Sequence, residues 1–376
     1  MFPTQFTGAS FTWERKKLGI YVPITMGQSP NSKNYTSNPR DNILVQGNAD
    51  LYNNRVLKRT FTTEVTKTAD KDDILMSVRA PVGDIARNQY ESIVIGRGIA
   101  AIKGNNFLYY QLEKMNNSGF WKKYIAGSTF ESINGKDLKS SDIYISNYKE
   151  EKSIGNIFQT LTKTIQLHER KCEELILIKK ALLQKLFPKK DEVIPEVRYK
   201  SFSAAWEQRK LRDVVKTTIG EFVIKTKQKE DSPYPVYNGG TSYTGFYDDY
   251  NNDSNKIIIS ARGANAGFVN IVRQRYWAGN SCYSLSILNN QEMDLDYLYQ
   301  MLKQRQHLFT DFQQAANIPS VSKKDVETFK VYTPSFEEQK KIGLFLTRFD
   351  SLIDLHQRKL EKLKQLKKFL LQNMFI

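Results

Sequence analysis

Mostly apolar positions recur at alternating spacings of three and four along two stretches of the chain. In the earlier stretch these positions are Phe158, Leu161, Ile165, His168, Cys172, Leu175, Lys179, Leu182 and Leu186. In the later stretch they are Leu346, Phe349, Ile353, His356, Leu360, Leu363, Lys367, Leu370 and Met374. Such spacing keeps one stripe of a helix against a partner helix. We therefore predict two long helices, over residues 149–187 and 336–376, that pair as a coiled coil.

The two stretches are copies of one another. Residues 148–187 align without a gap onto 336–375, a shift of 188, and 17 of the 40 positions are identical. The chain therefore contains an internal duplication, and the two copies are most similar in sequence in their long helices. Roughly forty residues at about 1.5 Å per residue give rods of about 60 Å. Spacing alone leaves the relative direction of the two helices open.

A β-rich segment precedes each helix, and the order of features is the same in both. Trp13 and Trp206 each lie in an aromatic and basic stretch that opens a half. Strands are predicted over residues 42–46, 74–78, 256–260 and 281–288, a pair of strands over 93–103, and helices over 107–114, 120–126 and 295–305. We divide the chain into β-rich domains at 1–148 and 204–335, with a linker at 188–203 where Pro188 stops the first long helix. Between the halves, similarity is low over 20–111 against 212–300, as expected if two faces read different ligands or if surface loops have drifted.

Charge narrows the class of ligand. The 376 residues carry a formal charge of +16, which favours a polyanion such as nucleic acid, although a solvated lysine surface would give the same balance. Two cysteines do not make a disulfide framework. The sequence contains neither a signal-peptide pattern nor a run of eighteen apolar residues, so we expect a reduced, cytoplasmic protein without a membrane segment.

Motifs for catalysis are missing from the sequence. It has no phosphate-binding GxxxxGK[ST] loop, no HExxH and no cysteine–histidine spacing for structural zinc. Gly96-Arg97-Gly98 lacks the third glycine of a dinucleotide fingerprint. His168 and His356 lie on the helix seams and are interpreted as packed residues. We expect no catalytic residue, metal site or cofactor in this chain.

Binding of a nucleic acid without catalysis is the remaining interpretation of the sequence. Glycine lets a backbone approach a ligand closely, arginine and lysine attract phosphate, and arginine, asparagine and glutamine read base edges. Loops that combine these residue types recur at matched positions in the two halves. The candidate DNA-binding residues are Gln46, Asn48, Lys67, Arg79, Arg97, Lys225, Lys227, Asn238, Thr241, Arg262, Asn265 and Arg273.

Nearly the whole chain resembles the specificity subunit of type I restriction-modification systems. The resemblance is carried by the doubled Trp-Glu entries, by Ser-Ala-Arg-Gly-Ala at 260–264 with Ser-Val-Arg-Ala-Pro at 77–81, and by Pro334-x-x-Glu-Glu-Gln-x-x-Ile342. It implies an α+β fold in which two related mixed α/β target-recognition domains are joined by two long helices in an antiparallel coiled coil, with a pseudo-two-fold internal repeat. The first copy departs from the pattern at 147–152, and the segment before Trp13 is short.

The resemblance also implies a function and partners. Each recognition domain would read one half of a bipartite double-stranded DNA site. The helix residues Phe158, Leu161, Ile165, His168, Leu175, Leu182, Leu346, Phe349, Ile353, His356, Leu363 and Leu370 would form the scaffold for two modification (methyltransferase) subunits. Restriction (translocase and nuclease) subunits would join later, and S-adenosylmethionine, ATP and magnesium would belong to those partners. We expect the helix length to set the unread spacer between the half-sites.

Two rival interpretations remain. One is a basic coiled-coil scaffold that binds DNA without sequence preference, and the other is a nuclease or methyltransferase with an unrecognised site.

Overall fold

The structure is a computed structural model that describes residues 13–124, 131–189, 192–310 and 319–375. The short N-terminal segment, whose packing the sequence left open, lies outside these residues. The chain divides into two compact units. Unit 1 comprises Met1–Glu169 and Lys359–Ile376, and unit 2 comprises Arg170–Arg358. Each unit therefore contains one β-rich half together with parts of both long helices.

The described residues of unit 1 form thirteen strands and three short helices before the first long helix. The strands are β1 Glu14–Lys17, β2 Ile24–Met26, β3 Tyr35–Thr36, β4 Asn42–Val45, β5 Leu51–Tyr52, β6 Arg55–Val56, β7 Thr60–Thr62, β8 Thr68–Asp70, β9 Ile74–Ser77, β10 Ile85–Arg87, β11 Ser92–Ile95, β12 Ile99–Ile102 and β13 Asp142–Ile145. The helices are α1 Leu18–Tyr21, α2 Asn106–Asn117 and α3 Gly135–Ser140, and the first long helix is α4 Tyr148–Leu186.

Where the chain of unit 1 is described, its strands form three sheets. One has the order β2-β12-β9-β10-β6-β5, a second has the order β3-β7-β4-β11-β8, and β1 pairs with β13. All residues of β9 and β12 are buried, which fits their nearly continuous apolar sequences at the centre of a covered sheet. Trp13 packs on Phe107 of α2, with ring centroids 5.3 Å apart.

Unit 2 repeats this plan with fewer strands. Its strands are β14 Glu207–Lys210, β15 Val215–Ile219, β16 Tyr234–Tyr237, β17 Gly245–Tyr247, β18 Lys256–Ser260, β19 Val269–Val272, β20 Trp277–Ala278, β21 Cys282–Ile287 and β22 Lys330–Thr333. Its helices are α5 Leu295–Gln304 and α6 Lys323–Thr328, followed by the second long helix, α7 Phe336–Asn373. The sheet orders are β15-β21-β18-β19, β17-β16-β20 and β14-β22. The first of these matches β2-β12-β9-β10 of unit 1.

Within each unit, the portions of α4 and α7 run antiparallel. In unit 1, Phe158 stacks on Phe375 at 5.6 Å, whereas Glu169, eleven residues further along α4, pairs with Lys364 at 2.7 Å. In unit 2, Lys179 pairs with Asp350, while Leu186 shares a core with Leu346. In both units α7 runs back as α4 advances, so the antiparallel direction that the resemblance implied is confirmed.

The seam positions are the covered positions of both helices. Phe158, Leu161, Ile165, His168, Leu175 and Leu186 are buried and Leu182 is half-buried, and on α7 Leu346 is buried while Phe349, Ile353, His356, Leu363 and Leu370 are half-buried. Some buried positions lie off this stripe, such as Ile154, Ile342 and Leu371. Cys172, on the same stripe, is buried as a small apolar side chain would be.

Two local predictions differ from the structure. Residues 93–103 form two strands, but β11 pairs with β4 and β8 while β12 pairs with β2 and β9, so they belong to different sheets. The predicted helix at 120–126 is a 3₁₀ helix over Phe120–Tyr124, and the rest of it falls outside the described residues. Apart from these differences, several apolar side chains of the long helices are exposed: Leu167, Leu177, Leu355 and Phe369 are 57–65% exposed.

The described residues of the segment predicted as a linker are closely attached to unit 2. Arg198 donates two hydrogen bonds of 2.7 Å to the carboxylate of Glu338, in the first turn of α7. The Glu338 side chain is fully buried. Val197 N also donates to Lys185 O at 2.9 Å. The second half of this segment is therefore a structural part of the unit.

Candidate nucleic-acid interface

A four-residue turn between β11 and β12 is the point where the predicted site of unit 1 comes together. Gly96 N donates to Val45 O at 2.7 Å, which fixes the turn to the end of β4. Val78 N donates to Gly98 O at 2.9 Å, which attaches the segment after β9. Ile95 N donates to Lys67 O at 2.8 Å. These bonds gather the ends of three separate chain segments around Arg97.

The glycines of this turn permit backbone to pack on backbone. A Cβ on Gly98 would lie 2.2 Å from Gln46 O, closer than side-chain carbons approach. A Cβ on Gly96 would lie 3.2 Å from the Cα of Gln46. Glycine is therefore needed for the loop after β4 to lie against the turn, and this contact places Gln46 beside Arg97.

Unit 2 builds the same arrangement from a different sequence. Gly279 N donates to Tyr237 O at 2.7 Å, and Ala261 N donates to Ser281 O at 2.8 Å. These bonds correspond to those of Gly96 and Val78, so the turn between β20 and β21 occupies the place of the turn between β11 and β12. The loop after β16 again packs against it, because the side-chain oxygen of Asn238 accepts from Ser281 N at 3.1 Å.

Arg79 and Arg262 occupy equivalent positions beside these turns. Each forms an isolated antiparallel bridge, Arg79 with Ser132 and Arg262 with Ser320, which explains why the sequence repeats these segments together. Both arginine side chains are exposed. After Arg262, Gly263 has a φ of +90°, a left-handed conformation that glycine adopts without strain. The loop sequence thus presents one arginine at the same site in each unit.

Nine of the twelve candidate residues lie in these two groups. In unit 1 the group contains Gln46, Asn48, Lys67, Arg79 and Arg97, and in unit 2 it contains Asn238, Thr241, Arg262 and Asn265. Lys67, Arg79, Arg97, Thr241, Arg262 and Asn265 are exposed, whereas Gln46, Asn48 and Asn238 are half-buried. Gln46 accepts a hydrogen bond from the Tyr35 hydroxyl at 3.2 Å, so part of its capacity is used within the unit.

The other three candidates lie elsewhere in unit 2. Arg273 follows β19, at the opposite end of the β18–β19 hairpin from Arg262, and it pairs with Asp296 of α5. Lys225 and Lys227 belong to a 3₁₀ helix beside β17, the edge strand of the three-stranded sheet. Lys227 lines a cavity of about 550 Å³ together with Phe222 and Trp277.

Asn280 was missed by the sequence reasoning. It occupies in unit 2 the position that Arg97 occupies in unit 1, as the corresponding hydrogen bonds of the two turns show. The available signal was the pair of tripeptides Gly96-Arg97-Gly98 and Gly279-Asn280-Ser281, each lying immediately before a strand. The insertions between the units hid this equivalence, because the offset is 183 here and 188 in the helices.

Electrostatics at the site suit binding rather than nucleophilic chemistry. Burial raises the pKa of the Cys282 thiol, next to the unit 2 turn, to about 12, so the thiol is neutral at physiological pH. Burial also raises the pKa of Tyr283, an effect that the charge of Arg262 opposes. Among the described residues there is no group of three or more His, Cys, Asp and Glu side chains placed to hold a metal ion. No described helix is long and apolar enough to cross a bilayer.

The fold and the two matched turns define a class: a duplicated α+β protein with paired long helices and one exposed loop cluster per unit. Residues 11–176 and 204–365 match the family described as the type I restriction modification DNA specificity domain. The chain belongs to this family.

Known relatives agree with this assignment. The chain is 33% identical over 193 residues to a putative type I restriction enzyme MjaX specificity subunit from Methanocaldococcus jannaschii, covering 48% of this chain and 44% of that protein. It is 22% identical to the putative type I specificity subunit S.MgeORF438P from Mycoplasma genitalium, covering 72% of this chain and 70% of the relative. The alignment to the first relative thus spans less than half of that protein.

A solved structure of the type I restriction-modification system S subunit from M. genitalium shares the fold. It superposes with a TM-score of 0.75 at 18% identity, covering 100% of this chain and 99% of that one. The expected α+β architecture of two related domains with long helices is therefore confirmed.

Proposed function

We propose that this chain is the DNA-specificity subunit of a type I restriction-modification complex, and that each unit reads one half of a bipartite double-stranded DNA site. The observation that carries the proposal is the repeated turn. Matching backbone hydrogen bonds hold Arg97 in unit 1 and Asn280 in unit 2, while the side chains presented around them differ. Two units that recognise different DNA sequences require the same backbone arrangement with different side chains at the DNA-contacting positions.

Charge supports DNA as the ligand. The chain carries a net charge of +16, and Arg79, Arg97 and Arg262 are exposed around the turns. Within the described part of the chain, no carboxylate lies within ion-pair distance of these three guanidinium groups. They are thus available to phosphate oxygens, which supply affinity, and to base edges, which supply specificity.

The long helices are proposed to bind two modification subunits. Their seam residues are covered within the units, so a partner would meet other positions. The exposed apolar side chains Leu167, Leu177, Leu355 and Phe369 offer such a surface. Restriction subunits would join the resulting complex in the cytoplasm. In this proposal the chain is not an enzyme, because methylation and cleavage, with their S-adenosylmethionine, ATP and magnesium, belong to the partners.

Selection from a randomised duplex pool tests sequence reading directly. The full-length chain is incubated with the pool at fixed salt, and bound DNA is sequenced. We expect two short enriched sequences separated by an unread spacer. Competition by the enriched duplex and by a scrambled duplex of the same composition then gives the specificity ratio. Equal competition would refute the proposal and favour the basic scaffold, because phosphate contacts alone do not distinguish the two duplexes.

Exchange of one recognition domain tests whether each unit recognises its own half of the DNA site. Replacing residues 205–335 with the corresponding segment of another family member should change one half of the enriched sequence and leave the other half intact. A change in both halves would show that the two units do not read independently.

A further inference from the structure

The equivalent turns of the two units each have one position whose side chain does not contribute to holding the fold together. In unit 1, Ile99 N donates to Gly96 O at 3.0 Å, and in unit 2, Cys282 N donates to Gly279 O at 2.9 Å. Each bond closes a four-residue β-turn with Arg97 or Asn280 as its second residue. Within the described residues, neither side chain makes a hydrogen bond or ion pair to the protein.

The rest of each turn is held on several sides. Arg97 N donates to the hydroxyl of Ser29 at 3.1 Å, and both flanking glycines are fixed to neighbouring segments. In unit 2, the carboxamide of Asn238 fills the space beside Gly279, where a Cβ would lie 2.2 Å from its oxygen. A rigid backbone with an unoccupied side chain at its tip is pre-organised for a ligand, because little entropy is lost when that side chain binds.

Comparison of the two units shows where the residue types at equivalent positions differ. Arg79 and Arg262 are the same residue type, so their identity gives no difference in specificity between the units. Arg97 and Asn280 are equivalent positions with different residue types. Arginine forms two hydrogen bonds with guanine O6 and N7, whereas asparagine forms two with adenine N6 and N7.

We propose that the second residue of this turn is a base-reading position in each unit, so that Arg97 selects guanine in one half-site and Asn280 selects adenine in the other. This inference rests on the proposed function, and it adds which residue reads which base. A bidentate contact of this kind discriminates against a wrong base by about 5- to 150-fold.

The test is a reciprocal substitution in the full-length chain, read out by selection from the randomised duplex pool. Asn280→Arg should convert one adenine position to guanine in a single half-site, and Arg97→Asn should do the converse in the other half-site. Asn280→Gln should keep adenine, because glutamine forms the same pair of bonds. Asn280→Ala should make that position degenerate without a new preference.

Matched controls place the same changes away from the turns. Asn290→Arg adds an arginine beyond the opposite end of β21, and Arg55→Asn removes one near the opposite end of β9. Both should leave the enriched sequence unchanged. Thermal melting confirms folding of each variant; if Asn280→Arg does not fold, Asn280→Ala and Asn280→Gln decide the result.

The outcomes separate the inference from the proposed function. If the wild-type chain enriches no sequence, the proposed function fails. A different outcome is that the wild-type chain enriches a bipartite sequence that stays unchanged in Arg97→Asn and in the Asn280 variants (Asn280→Arg, or Asn280→Ala if the first does not fold). In that case the function stands and the inference is overturned. A substitution that alters the half-site of the other unit would also overturn it.

Discussion

The ion pair between Arg198 and Glu338 allows a quantitative test of how the linker is attached to unit 2. Two hydrogen bonds of 2.7 Å join the guanidinium to the carboxylate, and the side chains are 12% and 0% exposed. Arg198→Met leaves the Glu338 carboxylate buried without its partner. Breaking a buried pair in this way costs about 3–5 kcal/mol. Replacing both residues, as Arg198→Met with Glu338→Leu, should recover most of that loss, because no buried charge remains.

Hydrogen exchange resolved by mass spectrometry is the suitable assay, since a two-unit protein need not unfold in one step. At about 1.4 kcal/mol per tenfold, peptides from the first turns of α7 should exchange on the order of a hundred- to several-thousand-fold faster in Arg198→Met. Lys185→Met, which removes an exposed ion pair with Glu196 in the same region, should leave those rates nearly unchanged. Unchanged protection in Arg198→Met, or a double variant as labile as the single one, would refute the reasoning.

Three further predictions follow from packing and charge. Gly155→Ala should destabilise unit 1 by about 1–3 kcal/mol in denaturant unfolding despite alanine's better helix propensity, because its Cβ would lie 2.9 Å from Phe107 N; exposed Asn156→Ala should not. Arg262→Ala should lower the salt dependence of DNA binding by about one counterion or relax one base preference, measured by anisotropy titrations, whereas Arg273→Ala should do neither. Burial lowers the pKa of Lys303 to about 8, whereas the ordinary value of 10.5 applies in the unfolded state. Between these two pH values the unfolded state binds more protons than the folded state, so the free energy of unfolding rises with pH. Wild type should therefore gain stability relative to Lys303→Met across that window, and parallel pH profiles would contradict the assignment.

The elements that the sequence predicted well are those whose signal is local. The long helices follow from alternating apolar spacing, and the observed bounds, Tyr148–Leu186 and Phe336–Asn373, differ from the prediction by at most three residues. β18 was predicted to the residue, because Ile257–Ile259 is a β-branched run between polar turns. In such segments, propensity and burial favour the same conformation.

Strand pairing and the full site required the structure because they depend on contacts between distant segments. β11 and β12 adjoin in sequence, yet they belong to different sheets. Gly27 and Gly220 are equivalent, because Gly27 N donates to Ile99 O and Gly220 N donates to Cys282 O, the first residues of β12 and β21. Asn280 could not be aligned with Arg97 because the offset between the units changes from 193 at these glycines to 183 at Gly96 and Gly279. Arg273 was grouped with Arg262 by composition, and only the hairpin register places it at the other end.

The first turns of the long helices show how the two units preserve one docking contact with exchanged chemistry. In unit 1, Glu151 of α4 accepts a hydrogen bond of 3.0 Å from Asn105, the N-cap of α2. In unit 2, Gln339 of α7 accepts one of 3.0 Å from the backbone N–H of Asp294, the N-cap of α5.

In unit 1 the contact joins a carboxylate of α4 to a carboxamide at the N-cap. In unit 2 it joins a carboxamide of α7 to a backbone N–H, and the carboxylate of Asp294 accepts from Tyr297 N at 2.9 Å. The departure of the first copy at 147–152 is thus compensated by its own domain. An exchange of domains that paired Asp294 with Glu151 would place two carboxylates at this junction, and like charges repel. A chimera should therefore keep each N-cap residue together with the first turn of the long helix that it contacts. The exchanged recognition domain then stays attached to the long helix.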